Sequence, residues 1–242
     1  MKDSLKNKLY NLELVIFDLD GTLIDSNGTH NYLDIELARS LGENKSPEEI
    51  LQERDEVIKN NNTGDIYLNY CNYLKTKYKS SLSANEVLQI RRDLSKKISK
   101  DIKYKTDADK IIKYLKNHNV KLALATVSRR ETIDIYINEN ENIKNKCNIK
   151  DCFDLIVTKD DVTLKKPNPE VYNKIIKEFQ IKDLSKCVVV EDSLTGVLAA
   201  KNANLDVIVI YDKYSDKDRE KINELADYNV SDYKELINLL EC

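Results

Sequence analysis

Apolar residues follow two rhythms along this chain. Short unbroken runs stand at Leu14–Phe17, Leu122–Ala125, Leu155–Val157, Val188–Val190 and Val207–Ile210. Their length and β-branched content predict strands buried on both faces of a parallel sheet. Between and after them, helical spacing is predicted at about Asp107 to Asn117, from Arg129, after Pro167, from Leu194 and near Tyr233. That alternation predicts an α/β fold, a doubly wound, Rossmann-like parallel sheet covered on both sides. The Asn138–Asn148 run, rich in Asn, Glu and Lys, reads as a solvated helix end or loop extension.

A different rhythm fills residues 27–103. Leu33, Leu37 and Leu41 recur at four-residue spacing, Ile50, Val57 and Ile58 continue the pattern, and Tyr67, Tyr70 and Leu74 form a further stripe. Ser46-Pro47-Glu48-Glu49 and Ser83-Ala84-Asn85-Glu86 are helix starts of the capping-box type. Consecutive strands of a doubly wound sheet with a helix between them need only about 30 residues, far fewer than separate Asp18 from Thr126. The expected organisation is therefore a core of residues 1–26 and 104–242, with a bundle of about four helices, residues 27–103, inserted after the first strand.

Composition narrows the function. A chain of 242 residues with 41% hydrophobic content can bury one good core and an accessory domain. A net charge of −3, with both signs interspersed, argues against a broad nucleic-acid footprint. No apolar run approaches the length of a membrane span, and the lysines at 2, 6 and 8 lead into a short strand, not a signal peptide. The expectation is a soluble, cytoplasmic protein with no membrane or nucleic-acid partner. Cysteines at 71, 147, 152, 187 and 242 form no metal-binding pattern, and reduced thiols are expected.

The chemistry lies at the strand ends, where open α/β sheets bind ligands. Val15-Ile16-Phe17-Asp18-Leu19-Asp20-Gly21 delivers two carboxylates two residues apart, with Gly21 breaking the strand. An EF-hand loop is disfavoured because Leu23 and Ile24 stand where ligating oxygens would be needed. The second strand ends at the Thr126 hydroxyl before a helix start, an anion cradle of hydroxyl and backbone N–H groups. Lys165-Lys166-Pro167-Asn168-Pro169-Glu170 opens a helix with a lysine ammonium fixed by the following proline. Cys187-Val188-Val189-Val190-Glu191-Asp192-Ser193 ends in two acids suited to a hard cation, and Gly196 permits close packing of the next helix.

These four segments, in this order, resemble the haloacid-dehalogenase superfamily of aspartate-nucleophile phosphatases and mutases. Asp18 and Asp20 match its Asp-X-Asp motif, Thr126 its Ser/Thr motif, Lys166 its lysine motif, and Glu191 with Asp192 its acidic motif. The family usually carries Asn where Val127 stands, so a side-chain contact to phosphate is lost there. The resemblance implies a helical cap hinged near Ser26 and Tyr104. It also implies a Mg²⁺-dependent phosphatase acting on a small phosphorylated metabolite, as a monomer or weak dimer.

In that reading Asp18 is the nucleophile, Asp20 the general acid–base, and Thr126, Val127 and Lys166 the phosphate cradle. Asp18, the Asp20 carbonyl, Asp192 and Glu191 would supply the metal ligands. His30 is a candidate hinge residue by its spacing from Asp20, and Arg129 and Arg130 are candidates for a second anionic group on the substrate. Arg91, Arg92, Lys96, Lys97, Lys100 and Lys103 read as a wet helix face. The alternative is a phosphomutase of the β-phosphoglucomutase type. It is disfavoured because Ser46 to Asn62 offers only Arg54 and Lys59 to grip a second phosphate.

Overall fold

The computed structural model describes residues 2–61 and 65–241. Asn62 and Cys242, both considered above, lie outside the described residues. Along the chain run α1 (Lys2–Tyr10), β1 (Leu14–Phe17), α2 (Asn27–Ser40), α3 (Pro47–Asn60), α4 (Ile66–Lys77), α5 (Ala84–Ser99) and α6 (Ala108–Asn117). Then come β2 (Lys121–Ala125), α7 (Arg130–Asn138), α8 (Glu141–Cys147), α9 (Ile149–Cys152), β3 (Leu155–Val157) and α10 (Glu170–Glu178). The chain closes with β4 (Cys187–Glu191), α11 (Leu194–Asn202), β5 (Asp206–Ile210), α12 (Arg219–Leu225), β6 (Tyr228–Val230) and α13 (Tyr233–Glu241). Two compact units result: residues 1–26 with 102–242, and residues 27–101.

The first unit is a parallel six-stranded sheet in the order β3-β2-β1-β4-β5-β6. Alternation along each strand divides its core into two layers. Val15 and Phe17 of β1 join Leu124, Val188 and Val190 on one face, while Leu14 and Ile16 join Ala123, Ala125 and Val189 on the other. No residue of β1 exceeds 1% exposure. Each such side chain contributes about 1.5–3 kcal/mol on burial, so a slip in register would expose several at once. The register pairs Phe17 with Leu124 on one side and with Val190 on the other. The carboxyl ends of the three central strands are therefore flush, and Asp18, Thr126 and Glu191 emerge side by side.

The second unit has its own core of Leu37, Ile50, Tyr70, Leu74 and Val87, drawn from all four of its helices. Both predicted capping boxes form, Ser46 with Glu49 and Ser83 with Glu86. This unit ends at Asp101 because Ile102 is buried in the core of the first.

Several details depart from the sequence expectations. The basic N-terminus forms α1, whose Leu5 and Leu9 are buried one helical turn apart. The Asn138–Asn148 stretch is no solvated extension, since α8 buries Ile143 and Cys147 and Asn140 caps it. Cys147 and Cys152 are not reduced thiols. They close a disulfide between the ends of α8 and α9, with Cα atoms 6.2 Å apart, while Cys71 and Cys187 are free and buried. Arg91 is not on a wet face either. It is 8% exposed, donates to buried Asp34 at 2.8 Å and stacks on Tyr67, because a buried carboxylate needs a cation beside it.

Candidate active site

Asp18 directly follows β1, and its backbone N–H continues the ladder to Val190 O at 2.9 Å. The next turn is forced by Gly21, at φ +80°, a left-handed conformation that favours glycine. Hydrogen bonds from Leu23 and Ile24 N–H back to Leu19 O close that turn. The chain thus presents Asp18 and Asp20 at the same sheet end but gives them different partners.

Asp18, 6% exposed, accepts from Lys166 Nζ at 2.7 Å. Burial, then the negative charges of Glu191 and Asp192, push its carboxyl well above the usual carboxylate range, with Lys166 opposing. Asp20 accepts instead from three hydroxyls: Ser26 and Ser128 Oγ, each at 2.7 Å, and Thr126 Oγ1 at 3.3 Å. One carboxylate is thus set against a cation and the other in a cradle of hydroxyl groups.

Lys166 is fixed by three acceptors: Asp18, Ala125 O at 3.0 Å and Glu191 Oε1 at 2.6 Å. Burial disfavours its charge, but Asp18 and Glu191 outweigh that and hold its pKa well above the ordinary lysine value. It precedes a cis peptide to Pro167. Glu191 is wholly buried and saturated. Its Oε1 also accepts from Tyr172 Oη at 3.1 Å, and its Oε2 accepts from Ser193 Oγ and from the N–H groups of Asp192 and Ser193. The carboxylate lies over Gly196 of α11, where a Cβ would fall 1.8 Å from Oε1. Gly196 is needed for this approach, closer than the helix packing its position suggested.

Asp192 accepts from Thr22 Oγ1 at 2.8 Å and from Ser215 Oγ at 3.4 Å. Its pKa is pushed up to about 7, first by burial and then by Glu191. Ligand atoms of Asp18, Glu191 and Asp192 lie within 4.8 Å of one another. Three carboxylates so close and so buried outnumber the Lys166 ammonium that contacts two of them, and their hard oxygens suit a small divalent cation such as Mg²⁺. The side chain of Asp20 is not part of this cluster.

Thr126, 2% exposed, follows β2 and its hydroxyl accepts from Ser128 N–H at 2.9 Å. Val127 stands beside it, 48% exposed. Arg130 is diverted from any ligand: its guanidinium binds Ile156 O and Asp161 and its N–H binds Asp160. Arg129 precedes α7 and is exposed, and His30 lies exposed on α2 in the second unit.

Sequence reasoning missed Thr22, Ser128 and Tyr172. Thr22 and Ser128 each stand two residues beyond a recognised group, Asp20 and Thr126, and that spacing was the available signal. Tyr172 on α10 had none. Its partner Glu191 belongs to another strand end.

A haloacid dehalogenase-like hydrolase family model matches residues 15–210. Among curated relatives, the bifunctional riboflavin kinase/FMN phosphatase of Arabidopsis thaliana is 29% identical over 208 residues, covering 86% of this chain. The chain spans about half of that relative's length, 51%. A phosphorylated carbohydrates phosphatase of Thermotoga maritima is 28% identical over 198 residues, covering 81% of this chain and 84% of its own. Among solved structures, CbbY from Rhodobacter sphaeroides in complex with phosphate superposes with a TM-score of 0.67 at 23% identity, over 96% of this chain and 100% of that one, a likeness of fold. No described helix is long and apolar enough to cross a membrane. The family match runs through Asp18, Asp20, Thr126, Lys166, Glu191 and Asp192, and the chain belongs to the haloacid dehalogenase-like hydrolases.

Proposed function

We propose that the protein is a Mg²⁺-dependent phosphatase that hydrolyses a small phosphorylated metabolite through an aspartyl-phosphate on Asp18. The observation that carries this reading is the division of labour between two carboxylates on one turn. Asp18 faces Lys166 and the acidic cluster, and Asp20 faces Ser26, Thr126 and Ser128. The phosphatases among the relatives support it.

Asp18 and Asp192 would hold the cation, because Glu191 is engaged with Lys166, Tyr172 and Ser193. Bound Mg²⁺ supplies positive charge that offsets the repulsion between a dianionic phosphate and the attacking carboxylate. Lys166 adds a second positive charge, and Thr126 with the turn before α7 cradles the phosphate oxygens. An Asp18 oxygen forms a bond to phosphorus as the ester P–O bond breaks, and Asp20 gives its proton to the departing oxygen. Asp20 then removes a proton from the water that attacks phosphorus. The Asp18–phosphorus bond breaks, and inorganic phosphate leaves. Glu191 orients Lys166 throughout. The helical insertion is read as a cap domain that carries substrate choice.

The test is a panel of phosphorylated metabolites offered to the purified protein with Mg²⁺ and with a chelator. Release of inorganic phosphate only with Mg²⁺ is expected. Metal-independent turnover, or none by wild type on any phosphate ester, overturns the proposal.

A further inference from the structure

A small, open pocket lies beside the reaction centre, lined entirely by residues of the first unit. Thr126 and Lys166 line it on the side of the proposed phosphate cradle, and its other lining residues include Val127, Lys159, Leu164 and Lys165. Two of these are large apolar side chains left uncovered, Val127 at 48% and Leu164 at 53% exposure.

The two lysines have no carboxylate partner among the described ion pairs, and the acids near them are occupied. Asp161 is bound by Arg130 and by Thr158, Asp160 caps the N–H of Arg130, and both oxygens of Glu170 accept backbone N–H groups, from Thr163 and Leu164. Lys159 is half-buried and Lys165 exposed, and the Lys159 pKa is lowered by burial, by neighbouring Lys165 and by Arg129, with Asp160 opposing. Two ammonium groups thus line one pocket with apolar walls, and the acid whose charge acts on Lys159, Asp160, is itself engaged by the Arg130 N–H. An anion seated there would satisfy both and would be held by charge-assisted hydrogen bonds.

We infer that this pocket is a second anion subsite, one that takes a carboxylate or a further phosphoryl group on the leaving-group side of the substrate. Lys159 and Lys165 bind that group, and the hydrocarbon joining it to the phosphate ester lies against Val127 and Leu164. The inference rests on the phosphatase reading and narrows it to substrates that are anionic at both ends and apolar between them. A valine in place of the family's usual Asn then has a use, as an apolar wall.

The test is binding of phosphonates, whose P–C bonds a phosphatase does not hydrolyse, followed by calorimetry on the full chain. The probes are methylphosphonate, 3-phosphonopropionate and propane-1,3-diphosphonate. At least one doubly anionic probe should bind about tenfold or more tightly than methylphosphonate, a ratio typical of one added charge-assisted contact. An advantage confined to the carboxylate or to the diphosphonate assigns the group. That advantage should fall below about threefold in Lys159→Gln/Lys165→Gln, with methylphosphonate binding unchanged, and should persist in Lys159→Arg/Lys165→Arg. Equal affinity for all three probes, an advantage that survives the Gln pair, or equal loss for every probe overturns the inference.

Turnover of p-nitrophenyl phosphate, which has no second anion, tests the phosphatase reading separately and should be unchanged in the Gln pair. A protein that hydrolyses it without preferring doubly anionic probes keeps the phosphatase reading and loses the subsite. Selective binding without turnover does the reverse.

Discussion

Gly196→Ala is a one-methyl change in a helix, where alanine ordinarily gains about 1 kcal/mol over glycine. Here the opposite is expected. The new Cβ would fall 1.8 Å from Glu191 Oε1 and 1.9 Å from its Cδ, so the carboxylate must move. Glu191 is fully buried, its charge is matched by Lys166 at 2.6 Å, and five donors surround its two oxygens. Pushing it aside separates a buried ion pair, a change that costs about 3–5 kcal/mol. After the propensity gain, a net loss of about 2–4 kcal/mol is expected. In a chain of this length that lowers Tm by roughly 5–15 °C. Thermal unfolding of Gly196→Ala beside wild type measures it, and the same substitution in a Glu191→Ala background supplies the control. With the carboxylate gone the methyl has room, and Gly196→Ala should become neutral or mildly stabilising. An equal cost in both backgrounds, or a Tm at or above wild type in the first, would refute the reasoning. Phosphatase turnover should fall in Gly196→Ala as well, because Lys166 loses the partner that orients it.

Asp18→Asn should abolish turnover while leaving the far-ultraviolet circular dichroism unchanged, since the amide keeps the shape but cannot attack phosphorus. Residual activity in a clean preparation contradicts the assignment. Asp20→Asn should hydrolyse p-nitrophenyl phosphate with a burst followed by a slow steady state, because that leaving group departs without a proton but the water step still needs a base. Equal slowing with an alkyl phosphate and no burst would make Asp20 structural. Stability of the metal-free protein should fall as pH rises from 5.5 to 8. A carboxyl whose folded pKa is raised, as Asp192's is to about 7, contributes stability below its unfolded value that is lost as pH climbs through the folded one. The effect is of the order of a few kcal/mol at most. Mg²⁺ should therefore raise Tm more at pH 8 than at pH 5.5, and Asp192→Asn should flatten the metal-free slope. A slope of opposite sign, or one untouched by that substitution, counts against the buried acidic cluster.

The sheet was legible because its strands are apolar on both faces, which leaves unbroken runs such as Leu14–Phe17 that few other contexts produce. Asp18, Asp20, Thr126, Lys166, Glu191 and Asp192 were legible because each closes or follows such a run, or precedes a proline that opens a helix. What pairs with what was not. Tyr172 with Glu191, Thr22 with Asp192 and Arg91 with Asp34 join residues on different elements, and nothing local in a sequence encodes such a meeting. The helix α1 escaped notice because Lys6 and Lys8 dilute the Leu5 and Leu9 stripe. The Cys147–Cys152 bond escaped because the Asn-rich segment containing it reads as solvated until α8 is seen to bury one face.

The chain leaves for the helical insertion and returns from it through neighbouring backbone. Ile24 bridges Tyr104 antiparallel, Asp25 N–H donates to Lys103 O at 3.0 Å, and Lys105 N–H donates to Leu23 O at 2.9 Å. For the sheet, the insertion is a loop whose ends are already tied. Closing a loop of about 75 residues costs on the order of 4 kcal/mol, and doubling its length adds only about 0.6 kcal/mol. The strand ends that hold Asp18, Thr126, Lys166 and Asp192 therefore barely register how long that segment is. The inserted helices can thus be lengthened, trimmed or exchanged at little thermodynamic penalty to the strand ends, and under the proposed function this would let substrate preference diverge while the chemistry stays put.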